Sequence, residues 1–302
     1  MKKIILLLVT TTLCLVGVNA QGVLTIEEMN SVYKKEKHHN KKVQAYVPLR
    51  QADIMWSRKV WREIDLRQKI NHPFYYPMNN GQVDAAVTDD RKSLIDVIYG
   101  AVLEGTITAY ANPVYDDEFR EKMSPKEILN VGNAEQKIIE FYDQALIAQG
   151  LDLELCKKDS LVNVPFDRNI IKKWRLKEEW FFDKQRSIMD VRIIGLAPLQ
   201  EDRDEVDSRI LAGTFSPIFW VYFEDARKVL INAEVFNLVK NDAERRTYDD
   251  IFWKRMFSST IIKESNVMDR DVNEHMVGLD ALLEAENIKT EIFNIEHDLW
   301  EY

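Results

Sequence analysis

Apolar side chains recur every four positions from Ala52 through Trp56 and Val60 to Ile64, with Trp61 beside them. That spacing predicts an amphipathic helix, with Arg58, Arg62 and Asp65 on its far side and Asp53 in its first turn. The helix is expected to stop before Asn71-His72-Pro73, because a residue preceding proline avoids helical angles. A second helix is expected from about Lys92 to Leu103, capped by Asp89 and Asp90 and ended at Gly105. Ser124-Pro125-Lys126-Glu127 is a capping box with proline in the first turn and predicts a third. Ile138, Tyr142, Ala145 and Leu146 predict a fourth, closed at Gly150, and a last helix is expected around Leu279 to Glu286.

Alternation marks the strands. Thr106 to Tyr110 alternates. Ile170 to Trp180 and Ser187 to Leu196 are rich in β-branched and aromatic residues, and Pro198 is expected to end the second of them. Gln200 to Asp207 is strongly acidic and predicts a loop or hairpin tip. Ile218 to Phe223 is apolar without alternation, as in a strand buried on both faces, and helical sequence follows from Asp225. The fold class is therefore mixed α and β (α+β), with amphipathic helices and short strands. The expected organisation is a leader at 1–20, a flexible basic lead-in at 21–50, a helix-rich half at 51–150, and a half with strands and helices at 151–302.

One echo runs through this pattern. Asp53-Ile-x-Trp-x-Arg recurs at Asp250, 197 positions on (250 − 53). In the second copy Trp253, Phe257 and Ile261 take the places of Trp56, Val60 and Ile64. The reading is a pair of equivalent helices in two related halves, with Trp56, Trp61, Trp253 and Phe257 as core anchors and Arg58, Arg62 and Arg255 facing outward. A chance match of two amphipathic helices is the other reading of so short an echo.

The first twenty residues set the compartment. Lys2 and Lys3 precede an apolar run from Ile4 to Val18, and Val18-Asn19-Ala20 is a small-x-small cleavage site. This predicts a secretory signal peptide cut between Ala20 and Gln21. Leu13 before Cys14 argues against a lipid-acceptor cysteine. No later run is long and apolar enough to span a bilayer, so no direct transmembrane segment is expected. Cleavage takes Lys+Arg from 41 to 39, and against 50 acids the charge becomes 39 − 50 = −11. Such a chain is a poor partner for nucleic acid. Its one basic cluster, Lys34 to Lys42, reads as a solvated, mobile arm, with an arm for an acidic partner or a lipid surface as the other reading. Cys156 would stand alone after cleavage and can form no internal disulfide.

The search for chemistry returns no site. No G-x-G-x-x-G, phosphate loop or G-x-S-x-G is present; Gly100 and Gly105 have phosphate-loop spacing, but Thr106 stands where lysine is required. His38, His39, His72, His275 and His297 form no metal-binding pair. Adjacent carboxylates abound, as expected of an acidic chain. Catalytic, cofactor and metal residues are therefore all expected to be absent. An exported carbohydrate-active enzyme, its cleft lined by Trp174, Trp180 and Trp220, or a periplasmic solute-binding protein is the alternative. The aromatic and arginine content points instead to protein contacts. Arg58, Arg62, Phe74, Tyr75, Tyr76, Trp180 and Arg255 are the candidate interface residues.

Four blocks carry a resemblance. They are Trp61 to Pro77 (WREIDLRQKINHPFYYP), Trp174 to Leu199 (WRLKEEWFFDKQRSIMDVRIIGLAPL), Phe219 to Asn237 (FWVYFEDARKVLINAEVFN) and Tyr248 to Asn266 (YDDIFWKRMFSSTIIKESN). In this order, behind a leader, the chain resembles the gliding motility protein N family, GldN, called PorN in non-gliding relatives. The resemblance implies a structural, non-enzymatic part of the type IX secretion system of Bacteroidetes. It further implies a periplasmic place, attached peripherally to the outer membrane through a lipoprotein of the GldK/PorK family. Self-association in a large ring and contacts with other type IX components are implied in the same way.

Overall fold

The four-residue stripe lies in a strand from Trp56 to Ile64, not in an amphipathic helix; Ala52 sits in a single 3-10 turn just before it. The computed structural model describes residues 41–77, 91–111, 117–131, 135–142, 157–164, 166–203, 210–237, 241 and 244–298. Its first long element is β1 (Ile54–Asp65), followed by a single helical turn, α1 (His72–Tyr75), and by α2 (Leu94–Leu103). Next come β2 (Ala109–Tyr110), α3 (Pro125–Leu129), β3 (Glu135–Tyr142), β4 (Lys157–Val164), β5 (Lys173–Asp183), β6 (Ile188–Arg203), β7 (Ile210–Pro217) and β8 (Trp220–Tyr222). The described chain closes with α4 (Phe223–Leu230), β9 (Glu234–Val235), β10 (Arg246–Thr247), α5 (Tyr248–Trp253), β11 (Thr260–Glu264), α6 (Val272–His275) and α7 (Leu279–Asp298). The class is mixed α+β, but its principal strands are long: β1, β5 and β6 run 12, 11 and 16 residues.

Seven antiparallel strands form the central sheet, in the order β11-β1-β5-β6-β8-β2, with β7 also on β6. The register of β1 on β5 sets Ile64 opposite Trp174, Arg62 opposite Leu176, Val60 opposite Glu178 and Arg58 opposite Trp180. Side chains alternate along a strand, so Trp56, Arg58, Val60, Arg62 and Ile64 share one face. A spacing of four fits two strand periods as well as one helical turn. The two arginines expected on the far side therefore lie on the same face as the apolar stripe. The expected halves share this sheet, because β1 pairs with both β5 and β11. Residues 40–302 form one compact unit.

The two Asp-Ile-x-Trp-x-Arg copies are not equivalent. The first opens β1; the second is α5, started by a capping box between Thr247 and Asp250. Arg255 adopts a left-handed φ of 52° just beyond that helix, so Phe257 and Ile261 do not continue its face.

One sheet face carries two apolar clusters. The larger joins Ile64, Trp174 and Leu176 to α2, α4 and α5. The smaller joins Val60 and Ile261 to Ala281, Ala285, Ile288 and Ile292 of α7, with Trp56 and Trp180 against it. Full burial of each such Ile or Leu contributes about 1.5–3 kcal/mol relative to exposure. Trp61 points the other way, into a third cluster with Ala197, Trp220 and Ile262.

Other elements differ from their sequence reading in instructive ways. The cap of α2 is Ser93, whose hydroxyl accepts from Asp96 N at 3.3 Å; Asp89 and Asp90 lie outside the described residues. Gly105 ends that helix as expected, at φ 74°. The capping box of α3 is present, with Ser124 N donating to Glu127 Oε2 at 2.7 Å. Of the stripe read as helical, Ile138 and Tyr142 lie in β3, which pairs with β4 as a strand, while Ala145, Leu146 and Gly150 lie outside the described residues. Pro198 does not end β6, because its carbonyl still accepts Ile218 N–H at 3.0 Å. β6 therefore takes in Gln200 to Arg203, and its antiparallel pairing with β7 puts the start of the acidic stretch in a hairpin, the second of its two expected readings rather than a loop. The leader with Ala20 and Gln21, the basic arm before Lys41, Cys14 and Cys156 also lie outside the described residues.

Candidate functional site

Three polar or aromatic constellations stand out. The first lies between the two clusters on one sheet face. Glu178 is fully buried on β5. Arg62 Nε lies 3.2 Å from its Oε2, and Arg255 Nη2 lies 2.9 Å from its Oε1. Trp180 Nε1 donates to the same carboxylate at 3.3 Å. Both guanidinium carbons stand over the Trp180 ring, at 5.8 Å for Arg62 and 5.4 Å for Arg255. Burial pulls the Arg62 pKa below its ordinary value, and Glu178 works against that shift. Arginine nevertheless stays charged under all ordinary conditions, so this is a permanent ion-pair network rather than an acid–base pair.

The second is a clamp on the extended segment before β1. Tyr46 stacks on Trp253 with ring centroids 5.2 Å apart. The Arg227 guanidinium lies 4.6 Å from the Tyr46 ring and 4.9 Å from the Trp253 ring, and Arg192 adds a third cation at 4.9 Å from Tyr46. Arg227 is 1% exposed and reaches both Asp249 oxygens, at 2.8 and 3.3 Å. Arg192 Nη2 donates to the Val47 carbonyl, and Lys41 N donates to Asn232 Oδ1 at 3.1 Å. Burial raises the Tyr46 pKa. The phenol therefore stays protonated at neutral pH and serves as an amphipathic wedge.

The third is a surface cavity of ≈ 340 Å³ lined by Leu66, Arg67, His72, Tyr75, Tyr76 and Lys172. Arg67 is already paired with Asp65, and Lys172 with Glu201. Tyr75 donates to the Asn169 carbonyl at 3.4 Å, and Tyr76 is 46% exposed. Neither of the other two constellations contributes to this cavity.

The family model for gliding motility associated protein GldN matches residues 49–301. The chain belongs to the GldN family. No curated protein matches it. The family assignment fits the four sequence blocks, which all lie inside the matched span.

Within this GldN-family chain the residues singled out from sequence fall into different settings. Trp61 is buried, and its indole N–H donates to Asp117. Trp56 is half-buried against the smaller cluster, and Phe257 is half-buried against the larger. Trp253 corrects its core assignment: it is 48% exposed, because the end of α5 turns it onto Tyr46 and Arg227. Phe74 corrects its interface assignment: it is 1% exposed among Tyr248, Phe252 and Phe257. Arg62 is likewise buried, and Arg255 is turned inward onto Glu178. Arg58 meets Glu264 and Glu291, each at 3.0 Å. Trp180 is half-buried under the two arginines, which leaves Tyr75 and Tyr76 as the interface candidates at a surface cavity.

Glu178, Tyr46, Arg227 and Asp249 were missed because each draws its meaning from a partner far along the chain. Tyr248 was also missed: fully buried, it donates to the carbonyls of Pro73 (3.1 Å) and Lys92 (2.8 Å). Among the described residues no three His, Cys, Asp or Glu side chains gather to hold a metal ion, and no helix is long and apolar enough to cross a membrane.

Proposed function

We propose that this chain is a structural component of the type IX secretion and gliding machinery. In this reading it sits in the periplasm, attached to the outer membrane through a GldK/PorK-type lipoprotein, and repeats around a ring. It turns over no substrate. Membership of the GldN family across residues 49–301 is the observation that carries the reading. The interior charges are consistent with it: Glu178, Arg62, Arg227 and Asp249 are spent on ion pairs within the chain. A leader without a lipid-acceptor cysteine supports attachment through a partner, and repetition of one heterologous contact closes into a ring.

Deletion of the gene tests the role. Proteins with the type IX C-terminal signal should then accumulate inside the cell. Removal of the lipoprotein should release or destabilise this chain in fractionated envelopes. Normal secretion in the deletion strain would rule the role out, and a stable monomer in wild-type periplasm would rule out obligate assembly.

A further inference from the structure

Residues 41–50 run toward β1 without joining a helix or a sheet. Val43, Tyr46 and Leu49 are half-buried, and the other seven residues are exposed. Inward positions at every third residue match polyproline II, which has three residues per turn, and not a strand, whose side chains alternate. Pro48 suits that geometry. Among the described residues the backbone from Lys41 to Leu49 makes two hydrogen bonds, both with side chains. Lys41 N donates to Asn232 Oδ1 at 3.1 Å, and the Val47 carbonyl accepts from Arg192 Nη2.

The Tyr46 ring supplies the main grip, between Trp253 and the guanidinium groups of Arg227 and Arg192. Those three residues belong to α5, α4 and β6, so the folded body builds the groove without help from β1. Arg192 also lies over the Phe181 ring at 5.3 Å, and Phe181 is buried on β5. The groove therefore has a fixed floor. Its polar groups are not all met with the segment in place: Arg227 Nη1 and Arg192 Nε are buried and have no hydrogen-bond partner. A buried N–H without a partner is unfavourable, and water restores the loss. Departure of the Tyr46 ring opens one side of each guanidinium to water. The closed form thus gains stacking and cation–π contact at the expense of hydration. A segment with so few backbone bonds belongs to the least stable part of a fold.

We propose that Arg192, Arg227 and Trp253 form a recognition site for an extended segment with apolar side chains three residues apart around a central aromatic ring, that residues 41–50 are a releasable strap on this site, and that the same segment of a second copy takes the strap's place. The seated strap itself shows which chemistry the groove accepts. Aromatic grooves that take proline-containing segments in this conformation recognise them as free peptides, so connection through β1 is not required for binding. Site and ligand lie on one chain. Exchange of straps between copies therefore keeps the contacts of the closed form and links the copies. The inference stands apart from the assembly role above, since it needs neither a lipoprotein nor a ring.

The probe is a labelled synthetic peptide with the sequence of Lys41 to Arg50, KKVQAYVPLR, titrated by fluorescence anisotropy against the full mature chain. The Tyr46→Ser chain, whose own strap lacks the ring, should bind the peptide saturably. The native chain should bind it at least tenfold more weakly, because its strap competes. Trp253→Ser in the Tyr46→Ser background should weaken binding at least tenfold, and Arg192→Gln in that background several-fold; both side chains are only partly buried, and a cooperative melt confirms that each variant is folded. A peptide carrying serine in place of the tyrosine should not bind. Absence of binding to the Tyr46→Ser chain would overturn the proposal. So would equal binding after loss of Trp253, or equal affinity for the serine peptide. None of these results touches the assembly role, which is read from secretion in the deletion strain.

Discussion

Glu178→Gln tests the ion-pair network most directly. Glu178 is 0% exposed at its side chain, Arg62 10% and Arg255 27%. Neutralising the carboxylate leaves Arg62 buried without a counter-charge, while Arg255 recovers part of its hydration. Removing one partner of a buried pair costs about 3–5 kcal/mol. For a domain of this size each kcal/mol moves the melting temperature by about 2–4 °C, so the expected fall is about 6–20 °C. Replacing Arg62 and Glu178 by apolar side chains of similar volume removes the deeply buried charge and leaves only Arg255 without a partner, where water reaches it. Arg62→Met/Glu178→Met should therefore lose less than Glu178→Gln alone, a non-additive result that only coupled groups give. Circular dichroism melts and urea titrations of the three chains supply the comparison. A Glu178→Gln chain that melts within 2 °C of the native protein, at the pH where both are most stable, would refute the argument.

Other outcomes follow from the same structure. Trp174→Ala, at a fully buried site, should cost about 3–5 kcal/mol in urea unfolding, whereas Trp253→Ala should cost about 1–2 kcal/mol, since it loses mainly stacking and cation–π contact; equal losses would contradict the exposed setting of Trp253. Tyr248→Phe should cost about 1–3 kcal/mol, because the carbonyls of Pro73 and Lys92 lose their buried donor. The Arg186 hydrogen bond to Asp183, with the Gln185 amide, holds the Asp183 pKa below its ordinary value. A depressed folded pKa gives stability that is complete above the unfolded pKa and disappears as pH falls through the folded one. Asp183→Asn should thus melt lower than the native chain at pH 7 and converge with it below about pH 4, as melting curves across pH will show. If the leader is cut as expected, intact mass of the protein isolated from its native cells should match a chain that starts at Gln21; acyl groups on Cys14 would contradict the leader reading.

The sequence was legible where the signal is local. The capping box at Ser124 and the stop at Gly105 are set by neighbours within a turn, and both are present. β5 and most of β6 could be read from their β-branched and aromatic content. β1 was misread because its alternation is hidden. Arg58 and Arg62 occupy inward positions between Trp56, Val60 and Ile64, and charged residues there imitate the polar side of a helix. Their inward place depends on Glu264, Glu291 and Glu178, and no local window contains those partners. The echo at Asp250 failed for the same reason: the capping box of Thr247 and Asp250 makes a helix, and the pairing of β1 with β5 and β11 makes a strand from nearly the same letters. The clamp on Tyr46 joins residues from four separate parts of the chain, so it could not be read locally at all.

The position of β1 also governs when the molecule can fold. Trp61 is paired with Lys177 on one side and with Lys263 on the other, 202 positions downstream (263 − 61). The first long strand thus waits for almost the last, and the ribosome will have released most of the chain before that strand gains its second neighbour. Pairings this distant place the chain among slow folders, on the scale of milliseconds to seconds, because loop closure is unfavourable until both ends meet. Slow closure leaves a long interval in which the polypeptide is still threadable.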